Sequence, residues 1–323
     1  MRRKLAALGA VVPLLAAAAC GGASTGSDAA TITLYTCVSD TTVEPVIKHF
    51  EKAHPGVHIA LYRAPTGDLN ARIAGDVRSG GMRANVVWAC DPLTMQDYVD
   101  QGLVGGWTPH TPIAAKWRTD DYVGVAVLYM LAVSGKGVPV PRSWSDLTGP
   151  AYAGGVALPD PGFAASALGT LGYFAHNPAY GMRFYAQLKS HGAKQVSTPD
   201  DVVNEVAQGV SAAGVTIANS AYAAQQSGSP IKISWPLPGA IAIYGPVALV
   251  KGTGHAATAK QLISYVTSAA GQRVIADSGS YPTLAGVKGP TMPADAPVVF
   301  PDWSAVASQK DKLLAEYTKI FGG

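Results

Sequence analysis

The sequence predicts an α/β protein of two lobes, with mostly parallel sheets and helices on both faces. Strand-like and helix-like segments alternate through most of the 323 residues, the pattern that parallel sheets require. Two cap-then-proline devices, Asp91-Pro92 and Thr198-Pro199, mark helix starts. Roughly 290 residues follow position 30, enough to bury a core in each of two lobes.

The first strand is written by β-branched Thr31, Ile32 and Thr33, continued by Leu34 and Tyr35. The joint after it, Thr36 to Thr41, is polar, and such joints at the carboxyl ends of strands are where open α/β sheets bind ligands. From Thr41 to Ala53 the period changes: Val43, Val46, Ile47 and Phe50 form an apolar stripe, with Glu44, Lys48, Glu51 and Lys52 off it. Thr41 and Glu44 resemble a capping box, which would place Pro45 in the first turn, and Pro55-Gly56 stops the helix before a strand through Val57 and Ile59. Leu69 to Arg78 reads as a helix and Asn85 to Ala89 as a strand. A helix capped by Asp91 then runs toward Asp100 and Gly102. Val123 to Val133 is a buried strand crossing between lobes, Ser143 to Leu147 a helical turn, and Gly155 to Leu158 a strand that breaks at Pro159. Helices are expected from Ala164 to Phe174 and from Thr198 through Gln208, with a strand over Val215 to Ala218. Ile241 to Val250 is a second long strand, Thr258 to Ala276 one periodic helix, and a last helix starts at Ser304.

Residues 1–20 read as a signal peptide: Arg2-Arg3-Lys4 precedes an apolar stretch from Leu5 to Ala19 and a small-residue cleavage site. Cys20, followed by Gly21-Gly22, looks like a bacterial lipoprotein processing site, which would make Cys20 the lipidated N-terminus and a membrane anchor. Ordinary signal-peptidase cleavage is the alternative, because Leu15 lies farther upstream than a lipobox leucine. Residues 21–30 are small and polar, a flexible tether. The net charge of +3 includes Arg2, Arg3 and Lys4, and beyond them 24 − 3 = 21 basic side chains face 21 acidic ones. Nucleic-acid binding therefore has no support in composition.

Cys37 ends the first strand and Cys90 follows the strand at Asn85 to Ala89. If those strands are neighbours in a parallel sheet, the thiols lie at one edge within reach of a disulfide, as an exported chain favours; two buried free thiols are the alternative. A zinc site lacks ligand spacing. An exported hydrolase finds little here. Gly209-Val210-Ser211-Ala212-Ala213 misses the last glycine of a nucleophile elbow and follows a helix, and His54 and His58 flank a Pro-Gly break as exposed side chains. An adhesive or structural protein of the same fold is a third class.

Several ordered segments carry a family resemblance: Phe50 to Val57, Ala84-Asn85-Val86-Val87-Trp88 with Gly102-Leu103-Val104, Pro141 to Leu147, Asp160-Pro161, and Ala257 to Gly279 with Tyr281-Pro282. Together they resemble the extracytoplasmic substrate-binding proteins of bacterial ABC importers, in the branch that binds ferric iron, thiamine, phosphonates and phosphosugars. The resemblance implies a type II periplasmic-binding fold with two crossover strands, no enzymatic activity and no cofactor. It implies a monomer at the outer face of the cytoplasmic membrane, periplasmic or extracellular, that closes on a small solute and hands it to an ABC permease. Residues 31–127 and 247–296 would form the first lobe, 128–246 the second, and 297–323 a helical segment packed on the second. The hinge would lie near Val127 to Val133 and Ala242 to Val250.

The tyrosine pair of ferric-binding relatives would fall where this chain reads Asn219-Ser220-Ala221-Tyr222, their histidine near Ser39, and their acidic ligand near Cys90 or Asp91. With so few hard ligands, iron is disfavoured. Helix starts near Ser39-Asp40-Thr41, Asp91-Pro92, Gly162 to Ser166 and Thr198-Pro199 suit a phosphate-like anion, whereas Asp40 and Asp91 favour a cationic group unless they are plain caps. An aminophosphonate or organic phosphate satisfies both. Thiamine, stacked on some of Trp88, Tyr222, Trp235 and Tyr244, is the alternative, although burial without ligand contact suits Trp88 and Trp235 better. The expected ligand contacts are Thr36, Ser39, Asp40, Asp91, Ser166, Thr198, Asn219, Tyr222 and Tyr244.

Overall fold

A computed structural model describes residues 30–290 and 292–322. The signal segment, Cys20 and all of the tether before Ala30 lie outside the described residues. The first half of the chain runs β1 (Ala30–Thr36), α1 (Asp40–Ala53), β2 (Val57–Arg63), α2 (Thr66–Arg78), β3 (Val86–Trp88), α3 (Pro92–Asp100), β4 (Val123–Ser134), β5 (Val156–Pro159) and α4 (Ala165–His176). It continues through α5 (Met182–Ser190), β6 (Lys194–Val196), α6 (Pro199–Ala207), β7 (Ala213–Ile217), α7 (Ala218–Gln226), β8 (Lys232–Ser234) and β9 (Ala240–Leu249). The last elements are α8 (Ala256–Thr267), α9 (Ala269–Asp277), β10 (Tyr281–Pro282), β11 (Val298–Val299) and α10 (Trp303–Phe321).

The strands form one curled mixed sheet in the order β2-β1-β3-β9-β4-β7-β5-β6, with β8 and β10 also on β4 and β11 on β9. Its two ends are parallel, at β2-β1-β3 and at β7-β5-β6. Between them the long strands β4 and β9 run antiparallel, from Val123↔Val247 to Met130↔Ile241, with a bulge between Gly124 and Ala126. Every residue of β9 is buried. Burial on both faces explains why these strands read as continuous apolar runs rather than alternating ones.

Three local expectations are corrected. Helix α1 starts at Asp40, so Pro45 lies inside the helix rather than in its first turn, and the N-cap Ser39 makes no side-chain capping bond. The Thr41/Glu44 box does not form, because the Ser39 carbonyl already accepts the Thr42 and Val43 N–H groups. Pro45 withholds its bond from the carbonyl of Thr41, which lies in the exposed first turn. The helix expected over Thr258 to Ala276 is two, α8 and α9, broken at Ser268. Its hydroxyl donates to the Tyr265 carbonyl (2.7 Å) and accepts from Gly271 N–H (3.2 Å), competing with the helical pattern. Gly271 is needed there, since a Cβ would meet the Val266 backbone at 2.8 Å. His54 is half-buried, not exposed, with its ring stacked on Phe50 at 4.2 Å.

Two apolar cores flank the sheet. One gathers Tyr35, Phe50, Trp88 and Ile263; the other gathers Trp144, Leu171 and Phe174 with Val306, Leu313, Tyr317 and Phe321 of α10. Helix α10 packs on α4 and α5, with Tyr317 edge-on to Tyr185 at 5.2 Å, and also reaches α3 through a Lys310–Asp97 ion pair of 2.5 Å. Helices α5 and α7 and strands β6 and β8 were not read from the sequence; α7 is weakly amphipathic and the two strands have three residues each, whereas α5 is as long as α3 and carries a clear apolar face.

Candidate functional site

A cavity of about 330 Å³ lies where the carboxyl ends of β1, β2 and β3 face the starts of α4, α6 and α7. It opens onto a wider mouth of about 960 Å³, and the two share Ser39, Arg63, Asp200 and Asn219. The cleft is bridged: Gly67 N–H at the start of α2 donates to the Phe163 carbonyl just before α4 (3.2 Å). Glycine permits that approach, because a Cβ on residue 67 would lie 2.7 Å from the Phe163 ring.

Helix starts dominate the lining. Ser39 belongs to α1, Pro65 and Thr66 to α2, Ala164 to Ser166 to α4, Thr198 to Asp201 to α6, and Ile217 and Asn219 to α7. The starts of α1, α2, α4 and α7 carry no side-chain cap, so apart from Gly67 N–H of α2, which is given to Phe163, their first N–H groups keep their positive ends for whatever fills the cavity. Helix α6 differs: the Thr198 hydroxyl accepts from Asp201 N–H while the Asp201 carboxylate accepts from Thr198 N–H (2.9 Å). Helix α2 is anchored from behind by the Tyr35 hydroxyl, which donates to the buried Asp76 carboxylate (2.8 Å).

The expected contact residues separate into three groups. Ser39, Ser166, Thr198 and Asn219 line the cavity. Asp40 and Tyr222 stand at the mouth; Asp40 lies 4.0 Å from the Arg63 guanidinium, and the Tyr222 hydroxyl accepts from the Trp235 indole (3.0 Å). Thr36, Asp91 and Tyr244 are absent from the lining of both spaces. Thr36 is buried and structural: its hydroxyl donates to the Trp88 carbonyl (2.7 Å) and accepts from Val38 N–H (3.0 Å). Asp91 caps α3 by accepting from Thr94 N–H (2.9 Å), and it is fully buried, which pushes its carboxyl pKa up. Tyr244 is buried against Trp117 at 5.4 Å, and burial likewise raises its hydroxyl pKa.

Cys37 and Cys90 form a disulfide with a Cα–Cα distance of 5.9 Å, and both line the cavity floor. Arg63, Phe163, Asp200 and Ser280 were not singled out by sequence reasoning, yet all four line the cavity. Arg63 is the cation on its wall, held by an Nε–H bond to the Val38 carbonyl (3.2 Å). A signal existed: Arg63 ends β2 in register with Thr36, at the same sheet edge as the polar joint after β1. Among the described residues no group of three His, Cys, Asp or Glu side chains is placed to hold a metal ion, and no helix is long and apolar enough to cross a membrane.

No curated protein matches the sequence significantly. Solved structures share the fold. The periplasmic binding protein AfuA from Actinobacillus pleuropneumoniae, with exogenous fructose 6-phosphate bound, is 16% identical with a TM-score of 0.81, covering 91% of this chain and 99% of its own. Iron-bound HitA from Pseudomonas aeruginosa is 18% identical with a TM-score of 0.76, covering 89% and 99%. An ABC-transporter substrate-binding protein from Agrobacterium tumefaciens is 14% identical with a TM-score of 0.78, covering 92% and 96%. At these identities the likeness establishes the type II periplasmic-binding fold. The family model for bacterial extracellular solute-binding proteins matches residues 32–280. With a cavity lined by helix starts and a family match over most of its length, the chain belongs to the bacterial extracellular solute-binding proteins, which bind solutes rather than convert them.

Proposed function

We propose that the solute is an organic phosphate or phosphonate, captured by closure of two lobes and delivered to the permease of an ABC importer. The observation that carries this reading is the convergence of four uncapped helix starts and Arg63 on one cavity of about 330 Å³. Uncapped N–H groups and a guanidinium fork match phosphoryl oxygens in charge and geometry. Asp200, at the junction of cavity and mouth, and Asp40, at the mouth, suit an amino group on the same solute. The fructose 6-phosphate in AfuA supports the reading by showing that this fold accommodates such a ligand.

Ferric iron is the weaker reading. Tyr222 offers one phenol, at the mouth, already bonded to Trp235. Thiamine is weakened because Tyr244 is buried against Trp117, so of its four aromatic candidates only Trp88 lines the cavity and only Tyr222 the mouth. The lobes proposed are 31–127 with 247–296, and 128–246, hinged where β4 and β9 cross. The chain would act as a monomer anchored by a lipid on Cys20 at the outer face of the membrane.

A thermal-shift series on the purified protein with 2-aminoethylphosphonate, fructose 6-phosphate, thiamine and ferric chloride tests the reading. A true solute at a hundredfold excess over its Kd stabilises by about 2.7 kcal/mol, or roughly 5–10 °C. A shift with ferric chloride and none with the phosphorylated compounds would overturn it.

A further inference from the structure

The floor of the cavity holds a hydrogen-bond donor that the fold leaves unused. Trp88 ends β3, is only 1% exposed, and lines the cavity. Its indole Nε1–H has no partner among the described residues. A buried donor without a partner is rare in folded proteins, because it forfeits the bond that water would have made. On β9, two residues before Val247, the register partner of Trp88, stands Gly245, which also lines the cavity. A Cβ at position 245 would stand 3.6 Å from the Trp88 Nε1 and 2.8 Å from the Ala89 carbonyl oxygen. Glycine thus places no side chain against the indole nitrogen, which is itself buried, and Trp88 packs into the core.

We infer that the Trp88 indole N–H is a specificity-determining contact that donates a hydrogen bond to an oxygen acceptor at the innermost end of the solute. The inference rests on this cavity being the solute site, and it deepens the reading above by assigning the solute's buried end. That end is a hydroxyl, carbonyl, carboxylate or phosphoryl oxygen. A bare cation cannot occupy it, because an N–H presents the positive end of its dipole. Burial in the core confines the ring, and three contacts hold the backbone that carries it: the Trp88 carbonyl accepts from the Thr36 hydroxyl, the strand pairs with Val247 of β9, and the Cys37–Cys90 bridge closes the same floor. An indole fixed in this way carries little of the ordering cost that a flexible donor adds on binding.

The test uses the mature protein labelled with ¹⁵N, in which the Trp88 indole resonance is identified by its disappearance in Trp88→Phe. Without solute, the proton should resonate upfield, as an unbonded indole N–H does. A proton already at the hydrogen-bonded position would mean that the fold itself satisfies it, and the inference would fail. Fructose 6-phosphate, 2-aminoethylphosphonate and thiamine are then added in turn. The compound that raises the melting temperature should move this resonance downfield, and Trp88→Phe should bind it about tenfold more weakly. An unmoved resonance at saturation, or affinity in Trp88→Phe within about twofold of the parent, would overturn the inference. A downfield move with thiamine alone would sink the phosphoryl reading while keeping this one. If none of the three binds, the phosphoryl reading falls and the solute-free spectrum decides for or against an unspent donor.

Discussion

The starts of α1 and α3 stand side by side at the ends of neighbouring parallel strands, are tied together by the Cys37–Cys90 bridge, and behave in opposite ways. At α3 the Asp91 carboxylate is fully buried and accepts from Thr94 N–H, so this helix start is closed by its own chain. At α1 neither Ser39 nor Asp40 caps the helix: Ser39 faces the cavity, and the Asp40 side chain, 56% exposed, leans toward Arg63. An aspartate beside a helix start can spend the helix's positive end or leave it available, and only its rotamer and burial distinguish the two. Of these two starts, only the one left open lines the cavity, through Ser39.

The largest expected effect comes from cutting the link between these two regions. Cys37→Ser with Cys90→Ser frees a loop of 53 residues and should lower unfolding free energy by about 4 kcal/mol, checked by urea denaturation under oxidising conditions. An unchanged midpoint would mean that the two helix starts hold their positions without the bridge.

Next is Arg63→Ala, which removes the cavity's cation. Affinity for a phosphorylated solute should fall about 30-fold by calorimetry, while the solute-free melting temperature stays nearly constant, because Arg63 is tied to the fold mainly by one bond to a backbone carbonyl. Equal losses of affinity and stability would place Arg63 in the scaffold instead.

Asp91→Asn sharpens the other side of the comparison. Burial raises the Asp91 pKa above its unfolded value, so its contribution to stability is fully present below the ordinary carboxylate pKa of about 4 and is lost as pH rises through the raised value. Asparagine keeps an acceptor for Thr94 without the charge. At neutral pH the variant should melt about 2–4 °C higher than the parent, a gain of about 1 kcal/mol, and the difference should shrink toward pH 4. A gain that grows on acidification contradicts this account.

The smallest effect belongs to Ser39→Ala. Its hydroxyl caps nothing and meets only the Thr41 hydroxyl (3.0 Å) and, more loosely, Thr42 (3.4 Å), so stability should change by less than about 0.5 kcal/mol. A loss near 1 kcal/mol, the usual worth of an N-cap, would show that α1 is closed as α3 is.

Much of the cavity lining was legible because helix starts are written locally. Ser39, Ser166, Thr198 and Asn219 sit where caps, prolines and strand ends announced a helix, and all four line the cavity. Arg63 escaped because its place depends on the parallel register that sets it opposite Thr36, a pairing 27 residues apart in the chain. Tyr244 was expected in the cavity and Gly245 takes the position instead. On a strand buried on both faces, hydrophobicity does not alternate, so the sequence holds no sign of which neighbour faces the cleft. The break at Ser268 was missed because the apolar stripe runs through it, and only the side-chain bonds of Ser268 with Tyr265 and Gly271 interrupt the helix.

By itself the sequence determined the strand and helix alternation, the two long buried strands, most helix starts, and a pair of cysteines at the ends of two strands. These follow from propensity, capping and periodicity, which act over a few residues. The tertiary structure alone decided that four open helix starts meet at one cavity, that Asp91 turns inward while Asp40 turns out, and that the Trp88 indole N–H is left without a partner beside Gly245. The physical reason is that those facts depend on the strand order β2-β1-β3-β9-β4-β7-β5-β6 and its register, and register is set by contacts between segments far apart in the chain.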